Sequence, residues 1–67
     1  MNTKMLIMDL DLIKEVTHYG NIIQDNSSTV SVNNKLHFTR TKVYSYEEGV
    51  YMEVKTDGNL RAFFKVN

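Results

Sequence analysis

Residues 44–66 read YSYEEGVYMEVKTDGNLRAFFKV. Two turn signals, Glu47-Glu48-Gly49 and Thr56-Asp57-Gly58, cut this stretch into three runs of alternating residues. Alternation of period two bounded by Gly and Asp predicts an antiparallel meander. A two-residue turn at Asp57-Gly58 would set Val54 against Arg61 and Met52 against Phe63, mixing apolar and polar positions. A three-residue loop, with Gly58 left-handed as a bulge, pairs Val54 with Leu60, Met52 with Ala62 and Val50 with Phe64. It also sets Glu53 opposite Arg61, a favourable cross-strand pair. The same loop at Glu47–Gly49 pairs Tyr46 with Val50 and Tyr44 with Met52. Both hairpins then agree on one buried face, and this is the expected register.

Toward the N-terminus the same logic continues. From Leu36 to Tyr46 one face carries Leu36, Phe38, Tyr44 and Tyr46. Arg40 and Lys42 fall on that face too, so either the strand overhangs its cover or a bulge between Thr39 and Lys42 resets the alternation. Asn33-Asn34 and Asp25-Asn26-Ser27-Ser28 are expected turns, with short strands of Val30 and Val32 and of Ile22 and Ile23 between and before them. Strands are thus expected at 21–24, 29–32, 36–46, 50–55 and 60–66.

Residues 9–19 change the period to that of a helix. Leu10, Leu12, Ile13, Val16 and Tyr19 share one arc, and Asp11, Lys14, Glu15 and His18 lie opposite. Asp9 fits as N-cap and Gly20 as a left-handed residue after the last turn. Met5–Met8 fits either an extension of this helix or a short buried strand. The expected fold is α+β: one N-terminal helix on a four- to five-stranded antiparallel meander, in a single domain over 1–67. A small open barrel of the SH3 or Sm kind, with the same helix, is the alternative.

Composition narrows the function classes. The chain has no Cys, which excludes disulfides, thiolate metal sites and a Cys nucleophile. Its longest apolar run is four residues, Met5–Met8. That is short of both a membrane span and a secretory-signal core, so a soluble cytoplasmic chain is expected. Apolar residues at 42% are enough for a core and too many for a disordered tail. Phe, Tyr, Met, Ile, Asn and Lys abound while Ala, Arg and Pro are scarce, the signature of an AT-rich genome such as that of a low-GC bacterium, its phage or a mobile element. A domain this small buries about 60% of its unfolded surface, so a second copy or a partner is a natural supplement.

Chemistry is sparse. No strand-turn-helix elbow surrounds Ser27, Ser28, Ser31 or Ser45, and nothing in the spacing makes His18 and His37 neighbours. His18 reads as a surface residue near a helix C-terminus, and His37 as a polar residue on a sheet face. His18, His37, Asp25 and Glu53 include no short-spaced ligand pair. Asp9 and Asp11 are explained by capping, and the three glycines by three separate turns. No catalytic residues, metal or cofactor are expected, and the chain reads as no enzyme.

In the expected register the second sheet face carries Tyr51, Glu53, Arg61, Phe63 and Lys65 with Val43 beside them. If the helix covers only one face, Tyr51 and Phe63 are exposed among basic residues. Aromatics and Arg are enriched at energetically hot interfaces. Residues 28–46 carry +3, from Lys35, Arg40 and Lys42, beside 47–58 at −3, a pattern suited to steering toward a protein of mixed charge. Tyr51, Phe63, Arg61, Lys65, Arg40 and Lys42 are therefore the expected partner-binding residues. The expected role is a small non-enzymatic regulator or inhibitor that occupies a partner's surface through its open face and edge strand. An anti-CRISPR-like anti-defence or host-takeover protein of a phage or mobile element is its concrete form, with a homodimer as an option. The alternative is a single-stranded nucleic-acid module stacking bases on Tyr51 and Phe63, which the zero net charge disfavours.

Overall fold

A computed structural model describes residues 4–66, so the two ends of the expected 1–67 span lie outside the described residues. The elements in order are β1 (Met5–Leu6), α1 (Leu10–Tyr19), β2 (Asn21–Val32), β3 (Lys35–Tyr46), β4 (Gly49–Thr56) and β5 (Asn59–Lys65). All neighbouring strands are antiparallel, in the order β1-β5-β4-β3-β2. The expected α+β architecture is present, and its sheet is open, not closed into a barrel. Met5–Met8 resolves as a short edge strand followed by the link to the helix.

Because β1 and β2 are the opposite edges, α1 must cross the whole sheet. Four strand spacings span about 19 Å and ten helical residues about 15 Å, so the helix and its short links fit that crossing. Asp9 caps the helix as expected, its Oδ1 accepting from the N–H groups of Asp11 at 3.0 Å and Leu12 at 3.3 Å. Gly20 corrects the expectation of a left-handed residue. It is extended, at φ −70°, and its N–H donates to the Val16 carbonyl at 2.8 Å. Glycine is demanded there by a close approach, since a Cβ would lie 2.5 Å from that same carbonyl oxygen.

The hairpins differ from expectation in one decisive respect. The turns at Glu47-Glu48 and Asp57-Gly58 have two residues, not three, and Asn33-Asn34 turns as expected; in all three both residues have positive φ. These are type I′ geometries, whose twist matches that of the strands they join. Tyr46 therefore opposes Gly49, Tyr44 opposes Tyr51 and Val43 opposes Met52. In the last hairpin Thr56 opposes Asn59, and a bulge then leaves Arg61 without an opposite residue. Beyond the bulge Val54 faces Ala62, Glu53 faces Phe63 and Met52 faces Phe64. The expected Glu53–Arg61 pair does not form.

Two further expectations are corrected and one alternative is settled. Residues 25–28 are strand, so 21–24 and 29–32 join into one β2, with its register shift between Ile22 and Gln24. Of overhang and bulge at Thr39–Lys42, the structure has the overhang, since the pairing there is regular. Leu10 and Tyr19 are largely exposed, so only Ile13 and Val16 of the expected helical arc are buried.

The core is small and sits between α1 and the centre of the sheet. Ile13 and Val16 pack with Tyr44, Tyr51 and Phe63, and Ile7, Leu12 and Tyr46 close its margin. The Phe63 ring lies 6.0 Å from that of Tyr51, stacked, and 6.5 Å from that of Tyr44. Aromatic contacts at these separations add to the burial itself. Phe63 is 1% exposed and Val16 is fully buried. We expect Phe63→Ala to cost about 3–5 kcal/mol in urea denaturation, and Leu10→Ala, on the same helix-covered side but in solvent, to stay within about 0.5 kcal/mol.

Candidate functional site

Directly opposed residues share a face, so the register sorts the side chains into rows. One row on the helix side runs Met5, Lys65, Tyr51, Tyr44 and Ile22 across all five strands. The next runs Phe63, Glu53, Lys42 and Asp25. Tyr51 and Phe63 are thus core residues beneath the helix, which corrects their expected place on an open face. The stacking platform that the nucleic-acid alternative needed is buried with them. Of the other expected contacts, Lys65 and Lys42 are half-buried on the helix side, Arg61 is exposed at the bulge, and Arg40 is exposed on the overhang of β3. The structure does not gather these six into one accessible patch.

The other side of the sheet has no element over it among the described residues. Its central row runs Leu6, Phe64, Met52 and Val43, ending in Gln24 on β2. The adjoining row runs Ala62, Val54, Thr41 and Asn26. Apolar residues hold β1, β5 and β4 in these rows and Val43 of β3, and the polar Thr41, Gln24 and Asn26 close the face toward β2. Phe64, Met52, Val43 and Val54 are half-buried, while Leu6 at the edge is 55% exposed. Phe64, Met52 and Val54 were expected to share a face, and they do; Val43 was expected on the other face, with Tyr51 and Phe63, and instead opposes Met52. The face is the one the helix leaves uncovered.

A second feature is the hairpin of β2 and β3. The last pairing of β3 with β4 is Thr39 with Thr56, and beyond it four pairs, from Thr29–Phe38 to Val32–Lys35, extend alone. At about 3.4 Å per residue this arm projects roughly 14 Å. Leu36 and Phe38 are 64% and 60% exposed on it, and every residue of β2 is exposed. The radius of gyration, 12.8 Å, exceeds the roughly 11 Å of a compact domain of this length, consistent with the projection.

Two polar contacts hold the arm at its base. Asp57 of the last turn accepts from the Phe38 N–H at 2.9 Å and from His37 Nδ1 at 2.8 Å, and its own N–H donates to the Phe38 carbonyl at 2.7 Å. An ionised carboxylate only accepts, so His37 carries its proton on Nδ1 here. The His37 bond is the larger cause, and the Phe38 N–H the next, holding the Asp57 carboxyl below its usual range. On the helix side Arg40 donates to Asp25 through Nε at 3.0 Å and through a terminal nitrogen at 2.7 Å. That two-pronged bond lowers the Asp25 carboxyl and raises the Arg40 guanidinium. A cleft of about 390 Å³ at the base of the arm is lined by Phe38, Arg40 and Lys55 among others. A groove of about 240 Å³ lies between the start of α1 and β5, with Leu10, Leu60 and Phe63 in its wall.

Two tyrosine hydroxyls bond to glutamates. Glu53 is buried, and the Tyr44 hydroxyl donates to it at 3.1 Å. Burial, then the Glu53 charge, pushes the Tyr44 phenol up to about 12. The Tyr46 hydroxyl donates to Glu15 of the helix at 2.6 Å, and that bond is the main cause of its own upward shift. His18 meets Tyr19 edge to face. Among the described residues no three His, Asp or Glu side chains gather where they could hold a metal ion, and no helix is long and apolar enough to cross a membrane. No protein-family model, curated protein or solved structure matches this chain.

The exposed arm, the all-exposed β2 and the uncovered apolar rows were not identified from the sequence. Their signal was present in the alternation of Val30, Val32, Leu36 and Phe38, which looked like core because nothing in the order of residues says where the helix stops. The buried phenol carries a pH dependence. A phenol held above its ordinary value of 10 contributes fully below pH 10, and that contribution is lost as pH rises from 10 through 12. The urea midpoint should therefore fall between pH 9 and pH 11.5, and fall less in Tyr44→Phe.

Proposed function

We propose that this chain is a small non-enzymatic regulator or inhibitor, of the anti-defence kind carried by phages and mobile elements, that acts by occupying a surface of a partner protein through its arm. The observation that carries this reading is β2, a twelve-residue edge strand exposed along its whole length. An edge strand offers a row of backbone donors and acceptors to an extended segment of another chain. Proteins that avoid such pairing place Lys or Pro on the edge or keep it short. From Gln24 to Val32, β2 has neither residue, and its single charge, Asp25, is held by Arg40. The exposed Leu36 and Phe38 and the basic Arg40 beside the cleft supply side-chain contacts next to that edge. The AT-rich codon preference of the composition supports the proposed origin.

The test is capture from lysate of the native host with tagged wild-type chain, with nuclease added to one half. The same is done with Thr29→Pro, which removes a backbone donor that β2 turns outward, and with Lys14→Glu on the exposed side of the helix. A stoichiometric protein that survives nuclease, is lost with Thr29→Pro and is kept by Lys14→Glu is the expected result. Loss on nuclease treatment would transfer the role to nucleic-acid binding. Equal capture by the Thr29→Pro chain, folded by circular dichroism, would rule out the edge.

A further inference from the structure

We infer that the cleft at the base of the arm binds a small phosphate ester carrying a planar ring, a ligand of the nucleoside monophosphate class. The inference goes beyond the proposed edge pairing. It uses side chains on the helix side of the sheet, where the arm begins, and needs no partner protein.

The register builds the cleft. Beyond the row of Phe63, Glu53, Lys42 and Asp25, the next row on the same side runs Leu60, Lys55, Arg40 and Ser27. One step further out, Phe38 opposes Thr29. Because β3 overhangs the helix here, this end of the face is open: Arg40 and Phe38 are exposed and Lys55 is half-buried. Ser27, Thr29, Phe38, Arg40 and Lys55 line a concavity of about 390 Å³. Small-ligand sites occupy roughly 300–1,000 Å³.

Charge selects an anion. Arg40 and Lys55 are directly opposed. Like charges so placed destabilise a sheet, and an anion seated between them removes the repulsion. Among the described residues the ion pairs are His37–Asp57 and Arg40–Asp25, so the charge of Lys55 is uncompensated. Asp25 engages Arg40 only through Nε and one terminal nitrogen. A guanidinium carries five N–H donors, so donors remain on a group whose position Asp25 already fixes. Such a fixed first contact is what a binding site needs. Glu53, one row inward, is buried and bonded to the Tyr44 hydroxyl. Two cations beside the hydroxyl-bearing Ser27 and Thr29 match the strong acceptor oxygens and double charge of a phosphate ester.

The ring follows from Phe38. It is 60% exposed in the cleft wall and has no part in the core. Bases stack on exposed aromatic side chains whatever their identity. A nucleic-acid strand fits less well, because it needs cations along several successive phosphates. Here Asp25 and Glu53 flank the basic pair on the inward side. From Thr29 to Phe38 the arm holds a single Lys or Arg, Lys35.

The test is titration of the purified full chain with uridine monophosphate in about 0.15 M salt, followed through its amide resonances. Saturable shifts around Ser27, Thr29, Phe38, Arg40 and Lys55 are expected, with a dissociation constant below about 1 mM. Inorganic phosphate should move the same amides about tenfold more weakly, lacking the ring. Lys55→Met keeps the stem and removes the charge, and should weaken both ligands about tenfold. Phe38→Ala should weaken the nucleotide alone. Lys55→Gln takes the place of Lys55→Met if that chain does not fold. No saturable shift at about 10 mM ligand, shifts centred elsewhere, or unchanged affinity in the folded Lys55 variant overturns the inference. Equal affinity for inorganic phosphate overturns the ligand class. An oligothymidylate that binds more than about tenfold tighter than the mononucleotide, with shifts running beyond the cleft, overturns it in favour of a strand track. No other protein is present, so failure here is distinct from failure of capture from lysate.

Discussion

The two-residue turn at Glu47-Glu48 sets the structure. It places Tyr44 opposite Tyr51, and with period-two side chains that single alignment decides the face of every residue in β4 relative to β3. One residue more in the turn would bring Val50, Met52 and Val54 under the helix and turn Tyr51 and Glu53 out to solvent. The turn holds two non-glycine residues at φ 44° and 65°, a left-handed conformation that costs such residues roughly 1–2 kcal/mol each. What offsets that cost is the stack of Tyr51, Phe63 and Tyr44 against Ile13 and Val16. The last hairpin follows the same choice: its bulge at Arg61 lets a two-residue turn coexist with Phe63 on the helix side and Phe64 on the other.

One ten-residue helix can cover only one side of a five-stranded sheet. Here it covers the side with the larger, partly polar side chains: two tyrosines, one phenylalanine and a buried glutamate bonded to a phenol. The rows of Leu6, Phe64, Met52 and Val43 and of Ala62 and Val54 lie on the other side. The outer strands carry the complementary asymmetry. β1 is two residues long, whereas β2 runs twelve and outreaches the sheet with β3 as an arm braced by Asp57. An apolar face and a long edge strand with a single charge are two different kinds of surface.

Much of this order was legible in the sequence. Asp9 as cap, the helix from Leu10 to Tyr19, the antiparallel meander and the turn at Asn33-Asn34 follow from local chemistry, and all are present. The grouping of Val50, Met52, Val54, Ala62 and Phe64 on a shared side was legible too. Which side the helix covers was not. Alternation fixes sets of residues, while the turn length joins the sets, and Glu-Glu gives no sign of a left-handed pair. Keeping apolar positions opposite apolar ones favoured the longer loop, and the bulge at Arg61 removes that objection by setting Val54 against Ala62 and Met52 against Phe64 after a two-residue turn. The expected contact residues inherited the same inversion, so Tyr51 and Phe63 went from candidate anchors to core. The arm was hidden for another reason: Asp25–Ser28 has turn residues by composition, but pairing with Arg40, Thr41 and Thr39 keeps it extended.

The central claim is the register, and nuclear Overhauser contacts from the methyl groups of Val16 test it most directly. The account predicts contacts to the ring protons of Phe63 and Tyr51 and none to Phe64 or Met52. Contacts to Phe64 and Met52 instead would place the other face beneath the helix and contradict it.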